Sequence, residues 1–197
     1  MISRGRAEQP RRGRAHRTLI LGGARSGKSV TAERMLASSP RVDYVATGAP
    51  PDDTDPDWAA RVRTHRKRRP ATWTTLETLD VERALVPPGA AASHLDTPVL
   101  VDCLSTWLAR LMESYGLWDG RPGSDEELDR RVDSLLTAWR GTRRQVIAVS
   151  NEVGSGVVPG TVSGVRFRDE LGALNARIAA ECEQVFLCTA GIAQRLK

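Results

Sequence analysis

Lys28, Asp102 and His65 carry the types and spacing of phosphate chemistry in this 197-residue chain. Lys28 lies in GGARSGKS, Gly22 to Ser29. This octet matches the phosphate-binding loop G-x-x-x-x-G-K-[ST] through Gly22, Gly27, Lys28 and Ser29. Its glycines let backbone N–H groups turn onto phosphate oxygens, Lys28 reaches the β and γ phosphates, and the Ser29 hydroxyl ligates Mg²⁺. The competing reading is a glycine-rich turn with a chance lysine. The strand-like HRTLIL before it and the helix-starting VTAERMLASS after it favour the phosphate cradle.

Asp102 ends the apolar run PVLVD, at the carboxyl end of a buried strand, where open α/β sheets bind their ligands. A carboxylate there holds Mg²⁺ directly or through water and completes a site begun by Ser29. An ordinary helix N-cap ahead of Leu104 is the alternative, and one aspartate can serve both. His65 stands among Arg61, Arg63, Arg66, Lys67, Arg68 and Arg69. Such a field suits polyphosphate, and like-charge repulsion lowers the histidine pKa and keeps the imidazole neutral. A neutral imidazole beside a nucleotide can attack phosphorus and carry the group as a phosphoramidate. On composition alone a solvated basic helix with a structural histidine is the stronger reading.

The elements that must position these residues alternate in type. Strand candidates are Thr18–Leu21, Val42–Ala46, Val99–Val101, Val146–Ser150 and Val185–Cys188, apolar runs of the kind buried on both faces of a parallel sheet. Helix candidates lie near Lys28–Ser38, Trp58–Arg68, Leu104–Tyr115, Asp125–Arg140 and Arg168–Glu183. Ser124 with Glu127 reads as a capping box, and Leu171, Leu174, Ile178 and Cys182 mark the apolar face of the last helix. Pro50–Pro56 and Pro87–Pro98 read as surface loops. With the phosphate loop, the pattern predicts an α/β fold of the P-loop NTPase, RecA-like type: a mostly parallel sheet with helices on both faces.

Residues 17–197 suit a single nucleotide-binding domain. Residues 1–16 hold five arginines and one acid, +4 of the chain's net +5, which leaves the other 181 residues at +1. This basic N-terminal extension reads as disordered. The body lacks a basic stripe with interleaved aromatics, so a nucleic-acid partner would rest on the extension alone, and none is expected. No apolar run approaches the ~18 residues of a membrane span and no signal peptide is visible, which points to a cytoplasmic protein without a membrane partner. Cys103, Cys182 and Cys188 lie in or beside apolar segments and read as free thiols.

GGARSGKS, YVATG, RVRTHRKRRPATWTTLE, LVDCLSTWL, VSNEVGSGVVP and FRDELGALNARIA occur in one order. Together they resemble the bifunctional adenosylcobinamide kinase / adenosylcobinamide-phosphate guanylyltransferase family of cobalamin biosynthesis, from about Thr18 to Lys197. The resemblance implies two reactions. The first moves the γ-phosphoryl of ATP or GTP to adenosylcobinamide. The second takes GMP from GTP onto a histidine, releases pyrophosphate, and passes GMP to adenosylcobinamide phosphate, giving adenosyl-GDP-cobinamide.

Carried over, the resemblance makes His65 the guanylylated residue, while Lys28, read from the loop motif, is the catalytic residue that supports the phosphoryl transfer. It gives nucleotide contact to Gly22, Gly23, Ala24, Arg25, Ser26, Gly27, Lys28, Ser29, Thr47, Gly48, Ala49, Lys67, Arg68, Arg69, Pro70, Glu77 and Asp102. Mg²⁺ falls to Ser29 and Asp102. The partners implied are a corrinoid substrate and further copies of the chain in a homotrimer. Some relatives have two histidines in tandem where this chain has Thr64 and His65, and the basic extension lies outside the resemblance. Asn151, Glu152, Arg168, Asp169 and Asn175 fall in the family blocks without individual roles. Two rival readings are a P-loop small-molecule kinase without guanylyl transfer and a non-catalytic nucleotide-binding module. The absence of an N-K-x-D guanine-reading sequence weighs against the second.

Overall fold

The buried runs pair edge to edge because each is apolar on both sides and can be covered only by helices above and below. The computed structural model describes residues 17–51, 55–86 and 96–197. The described elements, in chain order, are β1 (Arg17–Gly22), α1 (Lys28–Met35), β2 (Asp43–Ala46), α2 (Pro56–Arg68), β3 (Thr74–Glu77), α3 (Val81–Leu85) and β4 (Val99–Asp102). They continue with α4 (Leu104–Ser114), α5 (Ser124–Gly141), β5 (Val146–Asn151), α6 (Val162–Ala180), β6 (Gln184–Thr189) and β7 (Ile192–Arg195). The expected disordered extension at residues 1–16, much of the Pro87–Pro98 loop and part of the Pro50–Pro56 loop lie outside the described residues.

The strand order is β3-β2-β4-β5-β1-β6-β7. All pairs are parallel except β6 with β7. This is the expected α/β architecture, with a seven-stranded, mostly parallel sheet. Register brings the ends of five strands to one edge: Gly22 pairs with Asn151, Val149 with Asp102, and Ala46 with both Asp102 and Glu77. The site residues that follow these strands therefore share one rim.

Two cores sandwich the sheet. On one face Leu19, Val45, Val99 and Val101 meet α3, α4, α5 and α6 through Val81, Leu108, Leu135 and Leu174. On the other, Ile20, Tyr44, Leu100 and Ile147 meet Ala32 and Leu36 of the α1 region. Truncating one such buried leucine to alanine costs about 2–5 kcal/mol. No helix among the described residues is long and apolar enough to cross a membrane.

Three local readings are corrected. β3 and β7 were not expected, because TTLE and IAQR are edge strands with almost no buried side chain and so carry no apolar run. The last helix begins at Val162, not Arg168, capped by the Thr161 hydroxyl, which accepts from Gly164 N at 3.1 Å. The capping box at Ser124 does not form. The N-cap of α5 is Gly123 at φ +80°, the Ser124 hydroxyl is buried without a partner, and Glu127 turns back to Arg121. Cys103, Cys182 and Cys188 are free thiols, and burial pushes the Cys182 thiol up to about 12.

Candidate active site

The phosphate loop joins β1 to α1, and its shape requires its glycines. A Cβ at Gly22 would lie 2.4 Å from Ser26 Oγ and 2.6 Å from the Cys188 carbonyl oxygen, while Gly27 caps α1 at φ +94°. Lys28 is 5% exposed and donates from Nζ to the Gly23 carbonyl at 2.9 Å. Burial lowers its pKa against the opposing pull of Cys103 and Asp102. The Ser26 hydroxyl is buried without a hydrogen-bond partner. A cradle with an orphaned hydroxyl at a helix N-terminus suits an anion.

Helix α2 faces this loop. Asp55 caps it by accepting from Trp58 N at 2.8 Å, with Pro56 in the first turn. Between the loop and α2 runs a groove of about 750 Å³, bordered by Arg25 to Val30, Asp55, Asp57, Trp58, Ala60, Arg61, Thr64, His65 and Arg68. A second pocket of about 160 Å³ lies toward β2, β3 and β4. Lys28, Ser29, Tyr44, Trp58, Arg61, His65, Arg69, Glu77, Asp102 and Asn151 are among its walls. Lys28, Ser29, Trp58, Arg61 and His65 border both spaces.

The basic cluster is less free than its sequence implies. Arg66 pairs with Glu77. Arg68 grips Glu33 of α1 at 3.0 and 3.1 Å. Arg69 stacks over the Tyr44 ring at 3.9 Å and donates to Thr75 Oγ1 at 2.9 Å. Arg61 borders both cavities and makes no ion pair among the described residues, so it is the cation best placed for a phosphate. The His65 pKa is lowered as expected, but the leading cause is burial; Arg68 and Arg61 add to it, and Asp102 and Glu33 oppose it.

Asp102 does not cap α4. That place belongs to Cys103, whose N–H donates to Thr47 Oγ1 at 3.0 Å and to Thr106 Oγ1 at 3.4 Å. The Asp102 side chain instead accepts from the Tyr44 hydroxyl at 2.7 Å and lies 3.7 Å from His65 Nδ1. Asp102 and Ser29 border the same pocket.

Other expected contacts are dispersed. Thr47 is fully buried, and its hydroxyl is used within the Cys103–Thr106 network. Gly48 and Ala49 line the smaller pocket, where Trp58 Nε1 donates to the Ala49 carbonyl at 2.9 Å. Lys67 and Pro70 are exposed and border neither space. Gly22, Gly23 and Ala24 form the turn of the loop but do not line the groove. Sequence reasoning missed Tyr44, Trp58, Thr75 and Thr106. Tyr44, Thr75 and Thr106 fall in the YVATG, RVRTHRKRRPATWTTLE and LVDCLSTWL blocks, and Trp58 starts a helix candidate, but none was given a role.

The chain matches, over residues 18–196, the family model described as cobinamide kinase / cobinamide phosphate guanyltransferase. It is 41% identical over 182 residues to the bifunctional adenosylcobalamin biosynthesis protein CobP of Pseudomonas aeruginosa, covering 92% of this chain and 97% of that protein. It is 34% identical over 185 residues to the bifunctional adenosylcobalamin biosynthesis protein CobU of Salmonella typhimurium, covering 91% and 98%. Among solved structures, the P4 protein from bacteriophage phi6 in complex with ADP aligns over 95% of this chain and 56% of its own, at 20% identity and a TM-score of 0.48. On sequence, this chain belongs to the cobinamide kinase / cobinamide phosphate guanyltransferase family, bifunctional enzymes of adenosylcobalamin biosynthesis.

Proposed function

We propose that one site serves both reactions of the family, with the Gly22–Ser29 loop holding the triphosphate in each and His65 taking part only in the second. The kinase step moves a γ-phosphoryl from ATP or GTP to the hydroxyl of adenosylcobinamide. Positioning and charge neutralisation dominate such a transfer, and Lys28 and Arg61 supply both. In the second step His65 accepts GMP from GTP, pyrophosphate departs, and adenosylcobinamide phosphate takes the GMP. The observation that carries this reading is that His65 borders both the loop groove and the adjoining pocket. A nucleophile on that boundary can receive a group on one side and surrender it on the other.

Mg²⁺ fits the residues present. Ser29 offers a hydroxyl and Asp102 a carboxylate to one space, both hard oxygen donors. Among the described residues no cluster of three or more His, Cys, Asp or Glu forms a metal cage. Ser29 and Asp102 would hold Mg²⁺ in such a sparse site, with phosphate and water oxygens supplying the remaining donors. When bound it would neutralise charge on the phosphates. Glu77, Gly48 and Ala49 belong to the nucleotide wall in this reading. Assembly as a cytoplasmic homotrimer rests on the family resemblance and is checked by light scattering.

The test is incubation with α-labelled GTP and Mg²⁺, denaturation, and measurement of protein-bound label. Acid-labile, base-stable label that disappears in His65→Ala is the expected result. Label retained by that variant refutes the assignment.

A further inference from the structure

Tyr44 is 3% exposed and is engaged at two points. Its ring is covered by the Arg69 guanidinium at 3.9 Å, and Arg69 Nε also donates to the backbone carbonyl of His65 at 3.2 Å. Its hydroxyl donates to Asp102 Oδ2 at 2.7 Å, and that same oxygen lies 3.7 Å from His65 Nδ1. The backbone of the residue that carries the imidazole is thus linked to Tyr44 through Arg69, and its ring faces the carboxylate that Tyr44 holds. Stacking under Arg69 would be served equally by phenylalanine. The hydroxyl has a separate task, which is to hold the rotamer of Asp102.

We infer that His65 attacks phosphorus through Nε2, and that Tyr44 is the positioning residue that fixes this choice by holding Asp102 Oδ2 against Nδ1. The inference rests on the histidine-nucleophile reading above and deepens it to the atom. A carboxylate facing Nδ1 selects the tautomer with the proton on Nδ1, which leaves the lone pair on Nε2. The 3.7 Å separation is longer than a hydrogen bond, as catalytic contacts often are before substrate tightens them.

The step balances. The Nε2 lone pair forms a bond to the α-phosphorus of GTP, the bond from that phosphorus to the α–β bridging oxygen breaks, and pyrophosphate leaves with the electron pair. The ring now bears GMP on Nε2 and a proton on Nδ1, and so is cationic, with the Asp102 carboxylate beside the charge. When a phosphate oxygen of the corrinoid attacks the same phosphorus, Nε2 departs with its electron pair and the neutral Nδ1–H imidazole is restored. Only Oδ2 of Asp102 is used in this arrangement. Oδ1 makes no hydrogen bond or ion pair among the described residues, so one carboxylate can serve a cation and the histidine together.

The experiment uses the full-length protein with ¹⁵N-labelled histidine, incubated with GTP and Mg²⁺. Nitrogen–phosphorus coupling then identifies the bonded atom by NMR. Coupling at Nε2 of His65 is expected. Coupling at Nδ1 overturns the inference and leaves the histidine reading intact, whereas no adduct on His65 overturns that reading and this inference with it. In parallel, Tyr44→Phe is compared with the parent chain in single-turnover guanylylation and in phosphorylation of the corrinoid. Guanylylation falls about ten-fold, because the bond removed has a charged acceptor, and it falls at least several-fold further than phosphorylation. Equal loss in both reactions reduces Tyr44 to a structural role and overturns its part.

Discussion

The two walls of the site are held in opposite ways. The loop wall grows out of the core. β1 is buried between β5 and β6, and the loop is laced to its surroundings by Gly191 N to Ser26 O at 2.9 Å and Glu152 N to Gly22 O at 3.1 Å. The histidine wall is α2, and only Ala59 of its 13 residues is buried. Trp58 on Ala49, Arg68 on Glu33, Arg66 on Glu77 and Arg69 on Tyr44 hold it in place. Two of these are ion pairs, and an exposed pair such as Arg66–Glu77 contributes only about 0–1 kcal/mol. The proposed phosphate loop is therefore held by the same packing that fixes the fold. The histidine is attached by peripheral contacts, so on the proposed reading the two reactions should be separable by mutation.

The sharpest way to break this contrast is to remove one proposed catalytic side chain from each wall. His65→Ala is expected to cost guanylyl transfer at least about 10⁴-fold, the scale of losing a covalent nucleophile. In steady-state assays the corrinoid phosphorylation rate should fall far less. Lys28→Ala, on the loop wall, is expected to cost both reactions about 10²–10³-fold, as removal of one preorganised donor does. If Lys28→Ala spared one reaction, the loop would not be common to both, and the contrast would be lost.

A smaller perturbation displaces α2 without removing any of its side chains. A Cβ at Gly48 would lie 2.5 Å from Trp58 Cζ2 and 2.8 Å from Cη2, so Gly48→Ala must displace the indole that seats the helix. Overpacking of this kind costs about 1–3 kcal/mol. We expect roughly a ten-fold fall in kcat/KM for guanylyl transfer, with phosphorylation less affected. Equal loss in both would mean that α2 is as much a part of the loop wall as α1.

The same contrast explains which parts could be read from the sequence. β1, β2, β4, β5 and β6 announce themselves as apolar runs because they are buried, and the loop announces itself because tight turns onto phosphate demand glycine at fixed spacing. β3 and β7 were silent because edge strands need no apolar run. On the histidine wall, the basic residues and His65 were visible by type, but their partners Glu33, Tyr44 and Thr75 lie on other elements. Neither Tyr44 on Asp102 nor burial as the chief cause of the His65 shift has a local pattern in the chain. Ser124 and Glu127 mark the converse error, a capping signature overridden by Gly123 and by the attraction of Arg121.

The foundation of the loop wall can be probed far from the site, with the smallest effect. At the start of β1, Arg17 donates to Glu183 from its side chain at 2.8 Å and also from its backbone N–H. Burial raises the Glu183 pKa, but these hydrogen bonds and the Arg17 charge outweigh it and hold the carboxyl below its ordinary value. A group with a depressed folded pKa stabilises the fold fully above its unfolded pKa, about 4.3 for Glu. That contribution disappears as pH falls through the folded value. Urea melts at pH 7 and pH 3 should therefore show the parent losing about 1 kcal/mol more than Glu183→Gln on acidification. At pH 7 the ratio of guanylyl transfer to phosphorylation should be the same in both chains, because the pair supports the strand and not α2. A variant as acid-sensitive as the parent would remove Glu183 from that account, and a changed ratio would show that the two walls are coupled through the sheet.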